Sequence, residues 1–140
     1  MKEVSKPSLN FWVVGGVGLL WNSMGCYNFL MQTNPEGLEV LPQAYDAVAN
    51  SRPGYATAAF VVAVFGGVLG CALMLMRRAV SRPFLLLSLL GIVVTMLQAT
   101  WAIGFAPEAA SVLMDTGMSL VVSTYLVWFT HRKFGQDLLW

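Results

Sequence analysis

The sequence predicts an all-α fold, a four-helix transmembrane bundle whose successive helices run antiparallel. Four long apolar stretches, separated by short polar segments, make up most of the 140 residues: 9–31, 56–76, 84–105 and 112–130. A helix rises about 1.5 Å per residue and a bilayer core is about 30 Å thick, so each stretch is long enough to span. The composition agrees, since 57% of the residues are hydrophobic and 11% are charged, against about 25% charged in soluble domains. We expect one integral membrane domain, residues 1–140, without an attached soluble catalytic domain.

The basic residues predict the orientation of this bundle. Seven of the eight Lys and Arg residues lie before the first span, between the second and third, or after the fourth: Lys2, Lys6, Arg77, Arg78, Arg82, Arg132 and Lys133. Four spans place these three segments on one side, with only Arg52 opposite. Basic residues in short loops stay in the cytoplasm, so both termini are expected to be cytoplasmic. The net charge of +1 gives no sign of a nucleic-acid partner.

The first span is expected to remain as an uncleaved anchor. Lys2 and Lys6 could begin a signal peptide, but the apolar stretch that follows is longer than a signal peptide needs, and no small-x-small cleavage site follows it. Gly15, Gly18 and Asn22 are spaced three or four residues apart, which puts them on one face of the helix. Small residues on such a face allow another helix to approach closely in lipid.

The second span repeats this pattern with Ala59, Ala63 and Gly67. It also contains Gly66-x-x-x-Gly70, a spacing that many spanning helices share and that lets another helix approach closely. We expect it to mark packing within the chain rather than a dimer interface. The short connections after it, residues 77–83 and 106–111, make the last three spans antiparallel neighbours.

Residues 32–55 form the one loop of any size, and it carries acidic residues on the exoplasmic side. The sequence Asn34-Pro35-Glu36-Gly37 is typical of a turn. Pro42 can open a short helix over Gln43–Asn50, which Pro53-Gly54 would close. Leu41, Tyr45 and Val48 would share one face of that helix, lying either on the bilayer surface or at the mouth of the bundle.

Polar side chains inside the apolar stretches are the candidate functional residues. They are Asn22 in the first span, Thr95 and Gln98 in the third, and Asp115, Ser119 and Ser123 in the fourth. Their depths predict that Asn22, Gln98 and Asp115 form one polar cluster in the outer half of the bundle. The candidate ligand-binding set is Trp21, Asn22, Gln98, Trp101, Asp115 and Ser119.

Each of these polar residues also has a purely structural interpretation. A carboxylate at membrane depth is costly and usually faces the bundle interior, but Asp115 could instead cap a fourth helix that begins near Met114. Asn22 and Gln98 could serve only as interhelical hydrogen bonds that hold the packing.

No catalytic residue, metal site or cofactor is expected. His131 is the only histidine, so bis-histidine haem ligation is impossible. Cys26 and Cys71 lie at different depths, too far apart for a disulfide, and are expected to be free thiols. No nucleophile triad, phosphate loop or metal cluster occurs in the sequence.

The stretch from Trp21 to Leu30 contains the pattern Trp-Asn-x-x-Gly-x-x-x-x-Leu, and Phe65–Gly70 is a Gly-rich segment of the second span. In these features the chain resembles a group of small, uncharacterised four-span inner-membrane proteins of Gram-negative bacteria, often labelled sugar transporters. The resemblance implies a multi-pass protein of the bacterial inner (cytoplasmic) membrane. It carries over no catalytic residue.

Two functional hypotheses follow from the sequence. The first is a structural or accessory membrane subunit, in contact with the lipid bilayer and with a larger membrane complex or further copies of itself. The second is a transporter or binder of a small polar solute, including a sugar-like one, that acts as an oligomer with Asn22, Gln98 and Asp115 lining an outer pocket. A polar cavity there would favour the second hypothesis, and tight packing the first. A membrane enzyme is a third reading, for which the sequence carries no signature.

Overall fold

The computed structural model describes residues 6–136 and residue 139, so Lys2 lies outside the described residues. Within them the structure is all-helical, without a β-strand. The helices are α1 (Leu9–Thr33), α2 (Pro35–Leu38), α3 (Ala44–Asn50), α4 (Gly54–Leu75), α5 (Ser81–Ile103) and α6 (Ala110–Gly135), with a 3₁₀ turn at Pro107–Ala109 before α6. The four long helices coincide with the four apolar stretches.

Three of the long helical segments are long and apolar enough to cross a membrane. They are Gly54–Leu75, Ser81–Ile103 and Pro107–Gly135. Helix α1 has 25 residues, so it is long enough as well, but it is less apolar because it carries three asparagines and Gln32. Length and composition are therefore compatible with a membrane protein and identify three of the four expected spans.

The long helices pack in chain order, α1 on α4, α4 on α5 and α5 on α6, whereas the backbones of α1 and α6 approach at only a few points. The closest approach joins α4 and α5. A Cβ added at Gly91 would lie 2.5 Å from the Ala59 carbonyl oxygen and 2.9 Å from the Ala63 nitrogen. Ser88 donates a hydrogen bond to the Ala63 carbonyl beside it. Glycine at position 91 thus permits two helix backbones to touch.

One end of the bundle carries the basic residues and is called the basic end below. Its core is built by all four long helices from buried apolar side chains, namely Phe11, Cys71, Met74, Leu85, Leu126 and Phe129. A hydrogen bond of 2.8 Å between the Arg82 guanidinium and His131 Nε2 joins the start of α5 to the end of α6.

The opposite end carries Glu36, Glu39, Asp46 and Glu108 and is called the acidic end. Here α3 fits into the mouth of the bundle, and its Tyr45 and Val48 pack with Ala99 and Val112. The predicted short helix is confirmed at Ala44–Asn50. Its apolar face lies at the bundle mouth, because the mouth offers apolar partners from α5 and α6.

Two local predictions differ from the structure. Asn34–Gly37 is not a simple turn: Asn34 Oδ1 accepts a hydrogen bond from the Glu36 nitrogen at 3.2 Å, and the helix α2 begins at Pro35. Asn before Pro favours a turn and a helix start alike. Helix α5 begins at Ser81 rather than residue 84, since a proline in the first helical turn loses no hydrogen bond.

Candidate functional site

A cavity of about 270 Å³ lies between the four long helices in the half of the bundle near the acidic end, partly covered by α3. Its wall is mostly apolar and aromatic, and a few polar side chains project into it. Those polar residues include Asn22, Asn28, Gln32, Arg52, Asp115 and Ser119. The cavity thus combines an apolar wall with a small set of hydrogen-bonding groups, one cationic and one anionic.

Asp115 supplies the negative charge from the second turn of α6. Its Oδ2 accepts hydrogen bonds from Asn28 Nδ2 at 3.2 Å and from the Tyr45 hydroxyl at 3.3 Å. The helix begins at Ala110 with Ala109 as its N-cap residue, so the interpretation of Asp115 as a helix cap is wrong. The 3₁₀ turn at Pro107–Ala109 starts the helix early and leaves Asp115 inside it.

Tyr45 reaches this carboxylate from α3. Its side chain is buried, and burial, with a further contribution from the charge of Asp115, raises the pKa of its hydroxyl to about 12. The phenol is therefore a hydrogen-bond donor at neutral pH, and it ties the covering helix to the charged group in the cavity.

Arg52 supplies the positive charge from the segment between α3 and α4. It donates a hydrogen bond to Gln32 Oε1, and its guanidinium carbon lies 4.8 Å from the centre of the Phe60 ring. Burial lowers the pKa of Arg52, although a guanidinium stays protonated in proteins. Its Nε is buried and has no partner among residues 6–136 and 139.

Gln32 and Asn28 connect the two charged groups. Gln32 Nε2 donates to Asn28 Oδ1 at 2.8 Å, and Asn28 in turn donates to Asp115. The four residues Arg52, Gln32, Asn28 and Asp115 form one directed chain of hydrogen bonds, called the amide relay below. Residues 28 and 32 are one helical turn apart and so share one face of α1.

Four other residues predicted from the sequence also line the cavity: Trp21, Asn22, Thr95 and Ser119. Trp21 Nε1 donates to Ser119 Oγ at 3.2 Å, which links α1 to α6. Asn22 is buried and donates to the Gly18 carbonyl at 2.8 Å and to Cys71 Sγ at 3.8 Å. A side chain at Gly67 would overlap the Asn22 amide.

The remaining three predicted residues, Gln98, Trp101 and Ser123, are not among the residues that line the cavity. Ser123 is buried on α6. Gln98 is buried, and its amide nitrogen lies 3.5 Å from the Val48 carbonyl and 3.4 Å from Ser51 Oγ, so it holds α3 instead. Trp101 is 93% exposed on the outer surface of α5, a position that suits a membrane-interface aromatic. The expected single cluster is corrected accordingly: Asn22, Gln98 and Asp115 each have their own hydrogen-bond partners.

Sequence reasoning missed Asn28, Gln32, Tyr45 and Arg52. The available signals were weak: Asn28 and Gln32 are four residues apart near the end of the first span, and Arg52 is the one basic residue of the acidic end. Their partners are distant in sequence, 87 residues apart for Asn28 and Asp115 and 70 for Tyr45 and Asp115.

Both cysteines are free thiols, Cys26 half-buried and Cys71 buried in the core of the basic end.

Comparison with known protein families, with curated proteins and with solved structures finds no match. The resemblance suggested by the segment Trp21–Leu30 is supported by none of these comparisons.

Proposed function

We propose that this protein spans the membrane four times and binds a small polar solute in the cavity, as a binder or as part of an oligomeric transporter. The observation that carries the proposal is that Arg52 and Asp115 line the cavity. Within residues 6–136 and 139, the hydrogen bonds and the ring contact of these two side chains are with neutral groups. Ligand sites in proteins are typically concave and mostly apolar, with a few polar groups that fix the orientation of the ligand.

The first part of the proposal is that α1 also crosses the membrane, in addition to the three segments that length and composition identify. Its polar residues Asn22 and Asn28 have hydrogen-bond partners within the protein. Asn22 is buried and donates to the Gly18 carbonyl, and Asn28 donates to Asp115, so lipid would not have to satisfy these donors. With four spans, the basic end faces the cytoplasm and both termini lie there. The expected location is the bacterial inner membrane.

The position of Asp115 within a proposed spanning helix supports a role in ligand binding. A carboxylate costs about 2.5–3.5 kcal/mol at the centre of such a helix on insertion scales, and Asp115, in the second turn of α6, costs less than that. Ionisable residues within spanning helices usually mark substrate or ion pathways. Asp115 sits in a helix with Thr116 and Ser119, which also line the cavity. A transporter built on alternating access needs two related halves, so transport would require a second copy of this chain.

Ligand-induced stabilisation of the purified protein tests the proposal. The probes are glucose, 4-aminobutanoate, putrescine and succinate, which represent neutral, zwitterionic, cationic and anionic solutes. A ligand present at 100 times its Kd stabilises the folded state by about 2.7 kcal/mol. At least one probe is expected to raise the melting temperature of the wild-type protein.

A cavity-filling variant is the control for specificity. Thr116→Phe places a ring in the cavity and should abolish the stabilisation by the probe. Thr124→Phe is the matched control, because Thr124 lies on the same helix and bonds its own helix backbone in the same way, 2.8 Å to the carbonyl four residues before it, but is exposed. Equal behaviour of both variants, or no response of the wild type to any probe, would contradict the proposal.

An accessory subunit is the second candidate function. It is favoured by Gly16 on α1 and Gly117 on α6, since a Cβ added at either position would meet nothing within 4 Å. A helix of a larger partner could approach closely there. Native mass spectrometry from mild detergent would support this function if a different protein co-purifies in fixed stoichiometry and no probe binds.

A further inference from the structure

Arg52 and Asp115 are charges of opposite sign that line one cavity without touching each other. The amide relay joins them through Gln32 and Asn28. Asp115 is exposed at the cavity wall and Arg52 is half-buried there. A charge that has no charged partner attracts a ligand group of the opposite sign. In this cavity two neutral amides occupy the space between the charges.

Each charged group keeps hydrogen-bonding capacity that the relay does not use. Arg52 is half-buried and lines the cavity. Its guanidinium offers five N–H donors, and Gln32 Oε1 accepts a hydrogen bond from one of them. The two hydrogen bonds that reach Asp115 both end on Oδ2. Further N–H groups of Arg52 and the Oδ1 atom of Asp115 therefore remain as possible contacts for a ligand.

We infer that the cavity binds a zwitterion, a small molecule whose anionic group contacts Arg52 and whose ammonium group contacts Asp115. This inference rests on the proposed function, because it names the chemical class of the solute. The ligand takes the place of the Gln32–Asn28 segment of the amide relay. Both amides are then free to turn toward the polar groups of the ligand.

The relay suggests the spacing between the charges of the ligand. Its two amides come from residues four apart on α1, whose Cβ atoms lie about 5–6 Å apart, and a ligand that replaces them is expected to separate its charges by about the same length. A chain of three methylenes, as in 4-aminobutanoate, provides such a spacing, whereas the single methylene of glycine does not. The mostly apolar wall suits the methylene chain between the charged ends.

Binding of a matched series to the purified protein tests the inference. The series is glycine, 4-aminobutanoate, 4-hydroxybutanoate and 4-aminobutanol, and the last two keep the chain length but remove one charge each. A charge-assisted hydrogen bond contributes about 1.5–3 kcal/mol, which corresponds to about tenfold or more in affinity. 4-Aminobutanoate is expected to bind at least about tenfold more tightly than each of the other three.

Variants of the two charged residues should change this preference reciprocally. With Arg52→Gln, 4-aminobutanoate should bind no better than 4-aminobutanol. With Asp115→Asn, it should bind no better than 4-hydroxybutanoate. The melting temperature without ligand shows whether each variant is folded, and the wild-type series remains decisive if one of them is not.

The ligand could be a free solute or a zwitterionic phospholipid headgroup, which share this chemistry. Nanodiscs of phosphatidylglycerol alone, and nanodiscs that also contain phosphatidylethanolamine, distinguish the two sources. A headgroup ligand would compete with 4-aminobutanoate and lower its apparent affinity only in the second kind of disc. A free solute would bind equally well in both.

The failure of the inference differs from the failure of the proposed function. If glucose or a singly charged probe binds as tightly as 4-aminobutanoate, the cavity binds solutes but is not selective for zwitterions, and the inference is overturned. If no probe binds in either kind of disc, both are overturned. Selective binding that survives Thr116→Phe would place the zwitterion site outside this cavity and would also overturn the inference.

Discussion

Tyr45 is the residue that joins the covering helix α3 to the charge of Asp115. Because its pKa rises from 10.0 to about 12 on folding, the folded state holds the phenolic proton more tightly than the unfolded state. The free energy of unfolding is therefore expected to fall as the pH increases from about 10 through about 12. The wild-type minus Tyr45→Phe difference spectrum should show a phenolate that appears with a midpoint near pH 12.

The same variant supplies the control for stability. In Tyr45→Phe this part of the pH dependence of the unfolding free energy should disappear. A difference spectrum with a midpoint near pH 10 would mean that the Tyr45 hydroxyl is neither buried nor next to the carboxylate.

The two cysteines are expected to differ in reactivity. Cys71 is 0% exposed in the core of the basic end, whereas Cys26 is half-buried. In the Cys26→Ser variant, a membrane-permeable maleimide should label Cys71 only after denaturation. In the Cys71→Ser variant, Cys26 should be labelled in the folded protein. Mass spectrometry of the intact protein reads out both results, and rapid labelling of Cys71 in the folded state would refute the described packing of α1 on α4.

At the residue scale, the sequence predicted several of the long-helix residues that line the cavity. It was less successful in predicting the hydrogen-bond partners of those residues. Asp115, Asn22, Trp21 and Ser119 were recognisable because polar or indole groups inside an apolar stretch are unusual. Arg52 was recognised only as an exception to the charge asymmetry. The link from it to Asp115 depends on how far α3 enters the bundle, which no local pattern specifies.

At the scale of the elements, the contact between α4 and α5 is the closest contact between long helices. Gly91→Ala would force the two backbones apart, because the new methyl group would meet the Ala59 carbonyl at 2.5 Å. Overpacking of this kind costs about 1–3 kcal/mol. The variant should therefore unfold at a markedly lower temperature than the wild type in detergent.

Gly16→Ala is the matched control for this change. It adds the same methyl group to a long helix where nothing lies within 4 Å, so it should leave stability unchanged or raise it slightly through helix propensity. Equal losses in the two variants would show that the loss at Gly91 does not come from the helix contact.

The sequence predicted a helix and its bounds well where the flanking prolines and the spacing of apolar residues agreed. Helix α3 has Pro42 before it, Pro53 after it and apolar residues at positions 45 and 48, and all of these favour the same short helix. The sequence placed the start of α5 too late, because Pro83 was interpreted as the end of a turn. A proline is equally compatible with the first turn of a helix. Asn34-Pro35 was ambiguous for the same reason.

Orientation in the membrane is a property of the whole molecule, and the proposed four spans make a definite prediction about it. Alkaline phosphatase fused after Trp140 should be inactive, because the C-terminus is expected in the cytoplasm. The same enzyme inserted next to Val40, which is 76% exposed at the acidic end, should be active. Activity at the C-terminus, or at both positions, would contradict the four-span topology.

At this scale the sequence predicted the all-helical fold and the places of the four long helices along the chain. It could not predict the cavity. A cavity is the volume that side chains on several helices leave unfilled, and it depends on sub-ångström differences in packing. The limited contact between α1 and α6 was also beyond the sequence, since short connections make only α4, α5 and α6 obligatory neighbours.

The hydrogen bonds between α1 and α6 have a consequence for biosynthesis. Trp21 and Ser119 are 98 residues apart, and Asn28 and Asp115 are 87 apart, so the first long helix to leave the ribosome finds these partners on the last. At about 5–20 residues per second, the delay is roughly 5–20 s. During that interval the nascent first helix holds unpaired indole and amide groups, and an insertase or chaperone that shields them would act before translation ends.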